Sequence, residues 1–429
     1  MTEDSVGWGR FPRTTSRRIK IVETDQAIPF HEPTSFLAFG MGASVGDSCL
    51  NDGNTLLETA KLDRVLAFDP LLGRLTAESG ITFDAILRLV LPHGWFLPVT
   101  PGTRFVTLGG AVANDVHGKN QHCAGTFGCH VLGFRLRRSD GTWLDCSRTQ
   151  NFEMFRATIG GLGLTGLITS VQLQLKPIVN SWIDSESIRY GSADEFFDLS
   201  AESVEQFEYI VAWVDTQSTK TSAPGIFIRG NHNRNAGPLV REAPSRPKVA
   251  VPFIPPFSLM NRVTSGAFNS LYYSARPAVD RQRASIGPFF YPLDRIGAYH
   301  RLYGPKGMVQ WQALVPSRDA AKALLVESRK VGASCLSVMK VMGGIPSQGL
   351  LSFSGEGVTI ALDFPYSEDL LKALPRLDEL VASAGGRLYP AKDARMSGPH
   401  FRRFYPQWEQ LVPFIDPKFS SSFWRRVTA

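Results

Sequence analysis

Long apolar runs are absent from this chain of 429 residues. No stretch approaches the roughly 18 uninterrupted apolar residues of a spanning helix, and the polar N-terminus has no apolar segment of signal-peptide length. Cysteine is scarce as well. The five cysteines form no CxxC pair, which argues against a disulfide framework and a structural zinc site. We therefore expect a cytoplasmic protein, with peripheral contact to the inner face of the cell membrane left open.

Signatures of hydrolysis, metal binding and nucleic-acid binding are also missing. There is no GxSxG elbow and no HExxH helix, and His117 and His122 lack an obvious cysteine or carboxylate partner at metal spacing. The formal charge is +7, but the basic residues are scattered in short pairs rather than gathered in one run. We expect no metal and no nucleic acid, because a modest positive excess suits anionic ligands equally well.

Glycine, by contrast, is concentrated in three places. The stretch 101–131 mixes glycines with small apolar residues and good hydrogen-bond donors. This composition indicates buried backbone that turns tightly or approaches something flat or anionic, so the stretch is interpreted as a wall around a large ligand. The loop 40–48 follows a short apolar strand at 36–39, and the loop 159–166 contains a GxGxxG pattern.

Neither of the two shorter loops fits a Rossmann dinucleotide fingerprint, because that fingerprint requires a helix to begin inside the loop. Turn-forming residues continue to Asn54 after the first loop, and alternating strand residues follow the second from Leu167. Three glycine-rich loops without a metal motif favour an organic, phosphorylated cofactor that is held by loops of another kind.

Length and periodicity indicate an α+β protein of two domains. Helical spacing predicts a helix over 81–94, and Pro177 marks a domain boundary. After residue 309 the order strand–helix–strand–strand–helix predicts an antiparallel sheet with helices on one face, and the aromatic C-terminal tail is expected to pack on the first domain. The segment 249–275 is apolar but broken by prolines. It is either a loop under the core or a lid over a lipid-like substrate or membrane surface.

Several motifs point to one family. PGTxxVTxGGAxAxDxHGKN begins at Pro101, GWGR at Gly7, YGP at Tyr303, DFP at Asp363 and GGRLYxAKDxR at Gly385. Together they resemble the decaprenylphosphoryl-β-D-ribose 2′-oxidase family, which belongs to the vanillyl-alcohol oxidase (p-cresol methylhydroxylase) class of FAD proteins. The resemblance extends over most of the chain.

The resemblance implies a two-domain FAD-binding fold of the vanillyl-alcohol oxidase type. Residues 1–180, completed by 388–429, would form the FAD domain, and 181–387 an antiparallel-sheet substrate domain. FAD would be non-covalent, since Val45 stands in the loop where covalent members of the class often carry a flavin-linked histidine. The implied FAD contacts are Gly40, Gly42, Ala43, Ser44, Gly46, Asp47, Pro101, Gly102, Thr103, Gly109, Gly110, Ala113, His117, Gly118, Gly125, Gly163, Ile168 and Tyr389.

The implied reaction is oxidation of the 2′-hydroxyl of a polyprenyl-phospho-β-D-ribose to the 2′-ketone by hydride transfer to flavin N5. A separate NADH-dependent ketoreductase would complete the epimerisation to arabinose. Lys392 and His117 are the implied catalytic residues. Lys340 is assigned to phosphate as a point charge, although a solvated strand lysine is the alternative. The implied substrate positions are Lys119, Trp213, Gln310, Gln312, Lys340, Thr359, Ala361 and Lys392.

Two of these positions depart from the family. Thr359 and Ala361 replace an asparagine and a reactive cysteine, so covalent inhibitors that need the thiol should not bond, while activity is not excluded. The departures leave the sugar open. A sugar, alditol or lactone oxidase that uses oxygen or a quinone is therefore an alternative. A non-catalytic flavin-binding or membrane-scaffold protein is another, but binding alone would not explain lysines at both pocket positions, 340 and 392.

Overall fold

The structure is a computed structural model, and it describes residues 2–218, 223–235 and 249–429. Within these ranges it is an α+β fold in which short helices alternate with the strands of several sheets. The α-helices are Phe83–Val90, Leu108–Ala113, Gln121–Ala124, Phe152–Thr158, Ala193–Ser203, Arg262–Ser274, Ile286–Phe290, Arg318–Val331, Glu368–Ser383, Gly398–Phe404 and Ser422–Thr428.

Two sheets lie within the first 180 residues. The strand Phe36–Phe39 runs parallel to Thr55–Glu58 at the edge of the smaller sheet, so the loop 40–48 leaves from its carboxyl end. The larger sheet is antiparallel throughout. The smaller sheet has the order Thr2–Val6, Arg13–Lys20, Thr55–Glu58, Phe36–Phe39, and the larger has the order Val65–Asp69, Arg74–Glu78, Leu167–Gln174, Val131–Arg137, Trp143–Ser147.

An eight-stranded antiparallel sheet dominates the rest of the chain. Short two-stranded pairs complete the strands, Trp95–Phe96 with Lys176–Pro177 and Val249–Ala250 with Ile296–Gly297. The order across the eight-stranded sheet is Val279–Ser285, Trp182–Tyr190, Gly225–His232, Tyr209–Val214, Leu336–Met342, Gly357–Pro365, Met308–Val315, Arg387–Leu388.

The two faces of this sheet differ in polarity, as its central strand Gly357–Pro365 illustrates. Successive side chains of a strand point to opposite sides. Ile360 and Leu362 belong to the apolar core that includes leucines of the helices Arg318–Val331 and Glu368–Ser383. Thr359 and Asp363 point the other way, and both are buried polar residues. One face therefore packs under helices, and the other is left for polar chemistry.

Several elements predicted from periodicity are confirmed. The helix expected over 81–94 is Phe83–Val90 followed by a 3₁₀ turn, and the Thr82 hydroxyl accepts a hydrogen bond from the amide of Ala85 at 3.3 Å. The strand at 36–39 and the antiparallel sheet with helices on one face after residue 309 are also present. These predictions succeeded because they rest on the local alternation of apolar and polar residues.

The helix Leu108–Ala113 was not predicted, because its two glycines are poor helix formers. Tertiary contacts outweigh that preference. The Thr107 hydroxyl caps the helix by accepting a hydrogen bond from the amide of Gly110, and Leu108 is fully buried. A Cβ atom at Gly109 would lie 2.7 Å from the Cβ of Ser79, so glycine permits the close packing of this helix.

The C-terminal tail contacts both halves of the molecule. Phe419 forms a parallel bridge with Phe36, and the Arg426 guanidinium donates hydrogen bonds to the carboxylates of Asp47 and Asp393, each at 2.9 Å. Phe401, in the helix Gly398–Phe404, is buried in the core of the eight-stranded sheet. The tail therefore joins the first glycine loop to the segment around residue 393.

Candidate active site

The glycine loop 40–48 packs closely against two other parts of the chain, Thr107 and the segment 391–394. A Cβ atom at Gly40 would lie 2.4 Å from the Thr107 hydroxyl oxygen, and one at Gly46 would lie 1.8 Å from the carbonyl oxygen of Asp393. The Val45 amide donates a hydrogen bond to the Ala391 carbonyl at 2.9 Å. Glycine is therefore required where this loop meets the start of the helix Leu108–Ala113 and the segment 391–394.

The same loop presents backbone donors without partners. Among the hydrogen bonds of the described residues, none has the amide of Gly42 or Ala43 as its donor. Consecutive free amides in a glycine loop form an anion-binding concavity. In the wall 101–131, a Cβ atom at the exposed residue Gly102 would meet nothing within 4 Å, so there is open space beside this part of the wall. This donor set and this space fit the diphosphate and flat ring of FAD.

The other positions implied as FAD contacts are spread over the surrounding elements. Gly163 has a left-handed backbone, and a Cβ atom there would lie 3.4 Å from Leu37, in the strand that precedes the glycine loop. Ile168 is buried in the apolar core of the larger first-half sheet. Gly125 packs against Cys129 and Ile345. Of these three, Gly163 is the one that lies next to the base of the loop 40–48.

Strand register brings six implied substrate residues onto one face of the eight-stranded sheet. Residues opposite each other in an antiparallel pair share a face. The pairs on this face are Gln310 with Asp363, Gln312 with Ala361, Thr359 with Lys340, Val338 with Ala361 and Trp213 with Val338. This is the face opposite to the helix-covered core.

His117 connects the glycine-rich wall to this face. Its Nε2 atom lies 3.2 Å from the Gln312 side-chain nitrogen, which also donates a hydrogen bond to the Thr359 hydroxyl at 2.9 Å. The ring lies 5.1 Å from Tyr389 and 5.4 Å from Phe353, which stack on each other. Burial and two nearby lysines hold the pKa of His117 well below its ordinary value, so the ring is neutral at pH 7, with one nitrogen that accepts a hydrogen bond and one that donates.

Lys340 and Lys392 lie near His117, and Lys119 lies near Lys340. Lys340 is buried, donates a hydrogen bond to the Gly118 carbonyl at 2.6 Å, and has a pKa lowered well below its ordinary value by burial, Lys392 and Lys119. Burial also lowers the pKa of Lys392, an effect that the nearby Asp363 opposes. Burial lowers the pKa of Lys119 to about 7. Such mutually repelling buried cations are costly unless an anion joins them.

Asp363 is a site residue that the sequence analysis did not single out. It is buried, its carboxylate accepts a hydrogen bond from the Gln310 side chain, and burial raises its pKa to about 6. Four buried polar atoms of this region have no hydrogen-bond partner among the described residues: Asp363 Oδ2, His117 Nδ1, Gln312 Oε1 and the Tyr303 hydroxyl. The signal was present in the sequence, because Asp363 follows Thr359 and Ala361 at a spacing of two and so lies on the same face of their strand.

Replacing Lys340 by methionine should stabilise the protein at neutral pH. The folded pKa lies below the ordinary value of 10.5, so between these two values the unfolded chain binds the proton that the folded chain rejects. Stability therefore falls as the pH drops from about 10.5 towards neutral. Methionine removes this penalty, at a cost of about 1 kcal/mol for the lost hydrogen bond to Gly118.

The measurement is the melting temperature of K340M and wild type at pH 7 and at pH 10. We expect the variant to melt on the order of 2–4 °C higher at pH 7, with a smaller difference at pH 10. The control is Lys372→Met, since the Lys372 side chain is 74% exposed, and it should match wild type at both values. A K340M protein that is less stable than wild type at pH 7 would contradict the assignment of Lys340 as a buried lysine with a lowered pKa.

Comparison with known proteins agrees with this site. Residues 30–147 match a family described as FAD binding domain. The chain is 31% identical to the decaprenylphosphoryl-β-D-ribose oxidase of Mycolicibacterium smegmatis, over 99% of this chain and 97% of that protein. The chain belongs to the decaprenylphosphoryl-β-D-ribose oxidase family. It is an FAD-dependent oxidoreductase that acts on CH–OH groups.

Two other relatives match about a third of this chain. L-Gulonolactone oxidase of Mus musculus is 32% identical over 32% of this chain, and D-2-hydroxyglutarate dehydrogenase of Bos taurus is 29% identical over 32% of it. Among the helices that the structure describes, none has the length and apolar character needed to cross a bilayer.

Proposed function

We propose that this enzyme oxidises the 2′-hydroxyl of a polyprenyl-phospho-β-D-ribose, or of a closely related phosphorylated glycosyl donor, to the 2′-ketone. The observation that carries the proposal is the cluster of Lys119, Lys340 and Lys392 beside unpartnered polar atoms on one sheet face. A phospho-sugar supplies both missing components, because its phosphate neutralises the lysines and its hydroxyls satisfy the orphaned donors and acceptors. A neutral alditol or lactone would leave the lysines unpaired.

The two ends of the substrate would meet different residues. When bound, FAD accepts the hydride at N5. Lys392 is assigned to the reacting carbinol, because its lowered pKa gives it a neutral fraction that can take the hydroxyl proton. The neutral His117 ring is held by the Gln312 amide, which donates a hydrogen bond to its Nε2 atom. Its Nδ1 atom then carries the proton and would donate a hydrogen bond to a sugar hydroxyl oxygen. Lys340, with Lys119 next to it, is assigned to the phosphate.

The domain arrangement is part of the same proposal. We infer a vanillyl-alcohol-oxidase-type division into an FAD domain, 1–180 with 388–429, and a substrate domain, 181–387. The contacts of Phe419 with Phe36 and of Arg426 with Asp47 support it. FAD is proposed to be non-covalent, since the buried side chain at position 45 is valine, which cannot form a bond to the ring.

The test is anaerobic titration of the purified, FAD-loaded protein with candidate substrates. Bleaching of the flavin absorbance by polyprenyl-phospho-ribose, with no bleaching by free alditols or by L-gulonolactone, is the expected result. Bleaching by the lactone alone would support a lactone oxidase instead. The 2′-ketone product requires a ketoreductase that uses NADH to complete an epimerisation, and such a partner enzyme belongs to this proposal.

A further inference from the structure

The helix Arg262–Ser274 has its polarity inverted. Helices on a protein surface normally bury their apolar side and expose the polar one. Here the buried residues are Ser265 and Asn269, whereas Val263 is 79%, Phe268 56% and Leu271 69% exposed. An apolar stripe that faces outward on a water-soluble protein marks a surface that contacts something apolar.

The inward polarity of this helix is specific, so the outward stripe is fixed in place. The Asn269 amide donates a hydrogen bond to the Asp215 carboxylate at 2.9 Å, and the Gln217 amide donates one to the Ser265 hydroxyl at 2.7 Å. The Asn261 side chain caps the helix by accepting hydrogen bonds from the amides of Val263 and Thr264. Rotating the helix to hide its apolar side would break the hydrogen bonds to Asp215 and Gln217.

More apolar side chains extend the stripe along the preceding segment. Phe253 and Phe257 are each about two-thirds exposed, and Leu259 is exposed as well. Between residues 249 and 307 the sequence holds seven lysines and arginines but two aspartates and no glutamate. Arg262 is exposed at the start of the helix and forms no ion pair within the described ranges. We call the exposed apolar residues of 253–271 the apolar surface.

The apolar surface lies directly outside the candidate substrate site. Tyr272, on the same helix, packs edge-on against Trp213 with ring centroids 5.2 Å apart, and Trp213 shares the sheet face with Lys340. Met260 packs against the cluster that contains Val45 and Tyr303. A ligand that reaches the lysines with a long apolar tail would therefore have this surface beside its exit.

We propose that the apolar surface docks on an anionic lipid bilayer, with the apolar side chains in the interface and the arginines at the headgroups. Apolar residues supply the insertion, and basic residues around them supply attraction to negative lipids. A second copy of this chain is a poorer occupant, because a symmetric contact would place the same arginines against each other. The statement that docking delivers a lipid-linked substrate rests on the proposed function, but docking itself does not.

The test is flotation of the FAD-loaded protein with phosphatidylcholine vesicles that contain or lack phosphatidylglycerol. We expect wild type to float with the anionic vesicles, more weakly as salt is raised, and to float little with phosphatidylcholine alone. The triple variant V263S/F268S/L271S should lose roughly ten-fold or more of its partitioning, and Arg262→Gln about five-fold.

The matched control is L71S/L72S, which replaces exposed leucines in the turn between Val65–Asp69 and Arg74–Glu78. It should float like wild type. Wild type that stays with the buffer, or a triple variant that floats unchanged, overturns the proposal. A triple variant that converts a dimer to a monomer, without any vesicle binding by wild type, assigns the surface to self-association instead.

Flavin reduction separates this inference from the proposed function. The triple variant should be reduced by a short-chain, water-soluble polyprenyl-phospho-ribose at the wild-type rate, since none of its three residues lies in the proposed substrate site. Vesicle binding without reduction by that substrate would contradict the proposed function and leave the docking proposal supported. Reduction without vesicle binding would do the reverse.

Discussion

Lys392→Met is expected to bind FAD normally and to lose flavin reduction by its substrate. The residue ends a 3₁₀ turn, Pro390–Lys392, that is tied to the sheet because the Tyr389 amide donates a hydrogen bond to the Gln312 carbonyl at 3.0 Å. Its ammonium interacts electrostatically with the Asp363 carboxylate, and burial lowers its pKa. Methionine keeps the stem and removes the base, so the reduction rate should fall by roughly 100- to 10,000-fold.

The measurement is the rate of anaerobic bleaching in a stopped-flow instrument, with the visible flavin spectrum as the check on folding. Lys372→Met serves as the matched control, because its lysine is exposed on the helix Glu368–Ser383, and it should react at the wild-type rate. A yellow Lys392→Met protein that bleaches as fast as wild type would remove the catalytic assignment, whatever its substrate affinity.

Gly46→Ala is expected to weaken FAD binding about 100-fold and to lower the activity with it. Its Cβ atom would lie 1.8 Å from the Asp393 carbonyl oxygen. No rotamer change can relieve this contact, because the backbone fixes the position of a Cβ atom and the oxygen is itself a backbone atom. The loop 40–48 must then move away from the segment 391–394. Overpacking of this kind costs about 3 kcal/mol. If that cost falls on the loop conformation that binds the cofactor, FAD affinity drops about 100-fold.

FAD affinity is measured by fluorescence titration of the apoprotein, and stability by urea unfolding. Gly191→Ala is the control, because a Cβ atom there would meet the end of the flexible Glu195 side chain at 3.4 Å and needs no backbone shift. The interpretation also predicts that Arg426→Met, which removes the tie between Asp47 and Asp393, weakens FAD in the same direction. Gly46→Ala protein with wild-type affinity for FAD would contradict the close packing of the two segments.

The elements that depend on local sequence were predictable. The alternation of Val358, Ile360 and Leu362 with Thr359 and 361 predicted a strand with two unlike faces, and the helix after Thr82 followed from apolar spacing. The helix Leu108–Ala113 was not predictable, because glycine propensity opposes it and only the burial of Leu108 and the contact with Ser79 support it. The outward orientation of the apolar side of the helix Arg262–Ser274 was not predictable either, because an apolar side is normally expected to face the core.

The sequence by itself determined that the chain carries glycine loops suited to a phosphorylated cofactor, the strands of an antiparallel sheet, and the motifs of its family. Those features are encoded by residue types at short spacing. The tertiary structure decided that Lys340, Lys392 and Asp363 lie together beside His117, and that the tail at Arg426 fastens the first loop to residue 393. Such contacts join residues that are far apart in the sequence. Strand register and the placement of buried charges determine them, and neither is encoded in a local pattern.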